Sequence, residues 1–127
     1  MKILYDNIIY SLQSCGGISV VWTNLLSRVM KKVPDVRMFE YDGAEENLSR
    51  RGLDVPEEMI VRTKMRQKKF SRFFNPKLSN SSLFTLHSSL STPFIFHSSY
   101  YRIFSHPNAL NVTTVHDFAY SMFVSNP

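Results

Sequence analysis

Two adjacent glycines, Gly16 and Gly17, stand between a short apolar segment and a long amphipathic one in MKILYDNIIYSLQSCGGISVVWTNLLSRVMKK. Ile18, Val21, Trp22, Leu25 and Val29 recur at i, i+3, i+4, i+7 and i+11, which puts them on one face of a helix over residues 18–32. Lys31 and Lys32 suit the negative end of the helix dipole, and Pro34 stops the helix. Residues 2–5 read as a strand, and residues 36–41 alternate as a second one. Strand, glycine turn, helix, strand is a βαβ unit, which requires a parallel sheet and a right-handed crossover. This narrows the fold class to α/β, a Rossmann-like and mostly parallel sheet with flanking helices.

The rest of the chain extends the pattern. Residues 42–58 are polar and turn-rich, and residues 59–63 read as a short strand. Residues 64–74 read as a basic helix ending before Asn75-Pro76, and residues 75–92 as Ser-rich loop with a helical piece near 83–87. PFIFH (residues 93–97) and NVTTV (residues 111–115) read as two further strands joined by a helix or loop. They run into His97 and into His116-Asp117. In an open parallel sheet, ligands bind outside the carboxyl ends of the strands where the strand order reverses. A strand order of 3-2-1-4-5 gathers the glycine turn, His97 and His116 on that edge.

This gathering bears on chemistry. A Gly-Gly turn lets backbone approach a ligand closely, and a following helix presents free N–H groups to an anion such as phosphate. The same pair also serves as an ordinary loop. A histidine at a strand end is commonly structural, whereas two facing a glycine turn suit a site.

The chain's 127 residues suit one domain with its own core. The one cysteine, Cys15, excludes an internal disulfide and a Cys-rich zinc site and fits a reducing compartment. No apolar run spans a bilayer, and Asp6 interrupts the only stretch resembling a signal peptide, so the expected setting is cytoplasmic. The net charge is +5, and much of it lies in RTKMRQKKFSR: Arg62, Lys64, Arg66, Lys68, Lys69 and Arg72 without an acid. Such a stretch is a solvated helix face or a patch for phosphates, at an anionic membrane or on nucleic acid. Phe70, Phe73 and Phe74 nearby would serve base stacking or the core.

In order along the chain, LYDN (residues 4–7), SLQSCGGIS (11–19), IFHSSYYR (95–102) and VTTVHDF (112–118) resemble the N-terminal half of GT-B glycosyltransferases of family 4, retaining enzymes that use nucleotide sugars. The resemblance covers nearly the whole chain. It implies two Rossmann-like domains with the active site between them, the N-terminal one on the acceptor side. By it, Gly16 and Gly17 approach the donor phosphates, and His116 with Asp117 lies at the transferred sugar. Asp117 would act there as an orienter of His116, a helix N-cap or a general base. His97, Ser98, Tyr100 and Arg102 line the acceptor side. No metal and no cofactor beyond the nucleotide sugar is implied, and the partners implied are the nucleotide sugar and a glycan or lipid-linked acceptor.

The sequence stops soon after the HD pair. The expectation is therefore a truncated, incomplete N-terminal domain over residues 1–127, lacking the donor-binding domain. It is expected to be inactive in sugar transfer alone and to self-associate through an uncovered sheet edge. The competing expectation is a basic module binding nucleic acid or an anionic membrane without catalysis.

Overall fold

The computed structural model describes residues 1–64 and 90–116. Five strands lie in one sheet among them: β1 (Lys2–Asp6), β2 (Val36–Tyr41), β3 (Ile60–Thr63), β4 (Phe94–Ser98) and β5 (Ala109–Thr113). Every pairing is parallel and the order is β3-β2-β1-β4-β5, the order expected for a doubly wound sheet. β1 is central, with Asp6 in register with Phe39 on one side and Ser98 on the other. The fold is thus α/β and Rossmann-like.

Helices fill the first connection. α1 (Ile9–Leu12) is a single turn directly after β1, and α2 (Gly17–Val29) follows the glycine pair. The one-turn α1 is too short to show a period in the sequence. Its Ile9 and Tyr10 are buried, so a hydrophobic anchor precedes the glycine turn. α2 ends at Val29, short of Lys32, and Lys32 and Val33 close its last turn onto the Val29 carbonyl. After β2 comes α3 (Leu48–Arg51), capped by Asn47, whose Oδ1 accepts from the amides of Ser49 and Arg50.

Alternation along the strands splits the core between the two faces of the sheet. Leu4, Phe39, Phe94 and Phe96 point to one face with Phe104, whose ring stacks on Phe96 at 5.4 Å. Tyr5, Val36 and Met38 point to the other, where α2 lays Trp22 and Leu26. The helix face is rotated from the one expected: Val21 is 58% exposed, while Leu26 and Ser19 are fully buried. Ser19 fits the inner side because its hydroxyl donates to the Gly16 carbonyl at 2.8 Å, satisfying it within the first turn. β5 begins at Ala109 rather than at Asn111, and its residues are mostly exposed.

Candidate functional site

Three strand ends meet in a buried polar cluster. Asp6 closes β1, Tyr41 closes β2 and Ser98 closes β4. The Tyr41 hydroxyl donates to Asp6 Oδ1 and the Ser98 hydroxyl to Oδ2, each at 2.7 Å. Arg102, from the segment after β4, brings its Nε to 3.3 Å from Oδ2, and its Nη2 donates to the Tyr41 oxygen at 3.0 Å. Its guanidinium carbon lies 5.0 Å from the centre of the Tyr41 ring. Asp6 is fully buried and the Arg102 side chain 3% exposed, so this ion pair is internal. Burial pushes the Asp6 carboxyl up, against the pull of Arg102 and the two hydroxyls. The same burial, reinforced by Asp6, lifts the Tyr41 hydroxyl well above its ordinary value.

Ser98 and Arg102 are therefore turned inward onto Asp6. Tyr100 is half-buried, with its amide donating to the Ser98 hydroxyl at 3.1 Å and its ring edge-on to the exposed Tyr101. Sequence reasoning misses Asp6 and Tyr41 as members of this cluster. The available signal is an aspartate ending an apolar strand, since a carboxylate at a central-strand terminus is buried and needs partners.

The two histidines lie at the carboxyl edge of the sheet. His97, second to last in β4, is half-buried on the α2 face against the rings of Trp22 at 5.0 Å and Tyr5 at 5.5 Å. Its Nε2 pairs with the Thr114 hydroxyl at 2.8 Å. His116, three residues beyond β5, is half-buried and places Nε2 3.3 Å from the Ser99 carbonyl. Burial first, and the neighbouring His116 second, lower the His97 pKa, which favours its neutral ring. His97 and His116 thus each have a separate partner, the Thr114 hydroxyl and the Ser99 carbonyl. Asp117 lies outside the described residues, as do Arg66, Lys68, Lys69 and Arg72 of the basic stretch and Phe70, Phe73 and Phe74. Of that stretch, Arg62 is engaged by Glu57, with Nη2 to Oε1 at 2.8 Å on the surface.

Gly16 caps α2 at φ 156°, a conformation that L side chains rarely adopt, and a Cβ there would fall 2.8 Å from Gln13 Oε1. Gly17 is the first helical residue and is exposed, and a Cβ placed on it would meet nothing within 4 Å. The turn is fixed from behind, because the Gln13 carbonyl accepts from Asn47 Nδ2 and the Ser14 carbonyl from the Leu48 amide. Trp22, further along α2, links this helix to His97, and its indole N–H donates to Asn7 Oδ1 at 2.8 Å. Among the described residues, no hydrogen bond or ring contact joins Gly16 or Gly17 to either histidine directly.

A separate cavity of about 240 Å³ opens at the end of β2, lined by Glu40, Tyr41, Asp42, Glu45 and Arg62. Glu40 is held there by Arg50, with Nη2 donating to Oε2 at 3.1 Å. Among the described residues, no group of three or more His, Cys, Asp or Glu could hold a metal ion, and no helix is long and apolar enough to cross a membrane. No protein-family model matches the chain, and neither a curated protein nor a solved structure matches it.

Proposed function

We propose that the chain is the acceptor-side portion of a nucleotide-sugar-dependent glycosyltransferase of the GT-B, family 4 type, acting in glycan or polysaccharide biosynthesis. The observation that carries the reading is the pair His97 and His116. His97 lies at the carboxyl end of β4 and His116 three residues beyond the neighbouring β5, on the side of the sheet beyond the point where strand order reverses between β1 and β4. Gly16 and Gly17 at the start of α2 suit the donor diphosphate, whose leaving charge free N–H groups would stabilise. A neutral imidazole suits a sugar hydroxyl. His97 and Tyr100 would face the acceptor, while Ser98 and Arg102 would hold that segment in place from inside. The setting that goes with this function is cytoplasmic, at the inner membrane face where the acceptor is lipid-linked.

The test is an amide and histidine-ring NMR titration of the chain with GDP-mannose and, separately, UDP-glucose at millimolar concentration. Shifts at Gly16, Gly17 and Ile18 together with the rings of His97 and His116 are expected from one of them. Undisturbed signals at all five positions with both nucleotide sugars would overturn the reading.

A further inference from the structure

His116 has a proton whose position follows from its partner. A backbone carbonyl oxygen can only accept, so the 3.3 Å contact to Ser99 requires that His116 Nε2 carry the hydrogen. In the neutral ring Nδ1 is then a bare lone pair, and among the described residues no group bonds to it. The carbonyl that imposes this is itself held. Ser99 is fully buried. Its amide and its hydroxyl both donate to the Asp6 carbonyl, at 3.0 and 2.7 Å. Its hydroxyl oxygen accepts from the Ile9 amide at 3.1 Å. Ser99 is thus tied to the end of β1 and the start of α1, so the carbonyl that meets His116 has a fixed direction.

We propose that Ser99 is a positioning residue that locks His116 as the Nε2–H tautomer and so offers Nδ1 as a hydrogen-bond acceptor at the sheet edge. The group it would take is a hydroxyl donor, such as those of a glycan. That last step rests on the glycosyltransferase reading, whereas the tautomer stands on the geometry alone. Fixing the ring through an anchored backbone carbonyl removes the freedom to present the wrong nitrogen. Such a lock discriminates against ligand groups that only accept at that point.

The experiment is ¹⁵N NMR of the histidine side chains in the ligand-free chain, followed from pH 5 to pH 8. On deprotonation His116 should become bare at Nδ1 while Nε2 stays protonated, with a ring N–H signal that persists against solvent exchange. Ser99→Ala removes the hydroxyl that anchors the carbonyl, and exchange of that proton should accelerate about tenfold, the loss of roughly one hydrogen bond. Deprotonation of His116 at Nε2, or an Nε2 proton exchanging as fast as that of free imidazole, would overturn the lock. A folded Ser99→Ala variant with an unchanged His116 signal would remove Ser99 from the role. If the variant does not fold, the wild-type titration still decides. A locked tautomer in a chain that ignores both nucleotide sugars would keep this proposal and discard the glycosyltransferase reading.

Discussion

Replacing Asp6 by Asn removes the carboxylate that faces a guanidinium only 3% exposed. The expected cost is not the strength of the ion pair but the stranding of Arg102, whose Nη1 already lacks a hydrogen-bond partner among the described residues. Breaking a buried pair from one side costs about 3–5 kcal/mol. A domain of this size holds about 5–15 kcal/mol in total, so Asp6→Asn consumes a large part of its stability. Adding Arg102→Met should return most of the loss. The pair is then replaced by neutral groups, and the Asn amide can still meet the Tyr41 and Ser98 hydroxyls. Urea unfolding followed through Trp22, the one tryptophan, reports the change from inside the adjacent core. At a slope of about 2 kcal/mol/M, a loss of about 4 kcal/mol moves the midpoint down by about 2 M. The double variant should recover more than half of that shift. An Asp6→Asn loss below about 1 kcal/mol, or a double variant whose loss equals the sum of the two singles, would refute the stranded-charge argument.

Other expectations follow from single sites. Gly16→Ala forces a side chain into a positive-φ backbone conformation and onto Gln13, and should lower the melting temperature by an amount equivalent to about 1–3 kcal/mol. Gly17→Ala has open space and should leave it unchanged or raise it slightly, so a calorimetric scan of the pair separates the two glycines. His97 has a lowered folded-state pKa, so the unfolded chain binds its proton first. Stability from this group is full above the ordinary histidine value near 6.5 and falls as the pH drops below it. Asp6 acts in the opposite sense nearer its own ordinary range, so the informative quantity is the difference between wild type and His97→Phe in urea midpoint from pH 8 to pH 5. Equal slopes in the two proteins would exclude the histidine as the cause. Leu110 is 64% exposed on β5, an edge of the sheet among the described residues, and no charge guards the segment from 107 to 115. We expect a light-scattering mass above the single-chain 14.8 kDa that Leu110→Lys reduces, and a concentration-independent single-chain mass would count against it.

Much of the fold was legible because its signals are local. The amphipathic period after Gly16-Gly17 and the apolar strands around it led to the parallel α/β class, while the strand order was supposed from that class rather than read from the residues. The phase of α2 was not legible, since Val21 and Leu26 are both apolar and only packing against the sheet decides which turns inward, with Trp22 set between Tyr5 and His97. At the site, His97 and His116 were visible as strand-end residues. The partners that define them, Ser99 and Thr114, were not, because a serine or threonine acquires its role through contacts 17 residues away in sequence. Arg102 carried the opposite lesson. The resemblance sets Arg102 along the acceptor side, yet the structure pairs it with the buried Asp6 of the first strand and makes it internal.

The central position of β1 also sets an order of events during synthesis. β1 emerges first and β2 can join it once the first helices are made, but its other edge waits for β4, with Ser98 lying 92 residues beyond Asp6. At a ribosomal pace of about 5–20 residues per second, that edge stays open for roughly 5–20 s. Over this interval Asp6 lacks both Ser98 and Arg102, and its carboxylate remains in water. A charged, hydrated residue at the end of an unpaired strand discourages premature docking of a foreign strand there. The same aspartate that later fastens three strand ends thus guards the nascent sheet until its own partner is made.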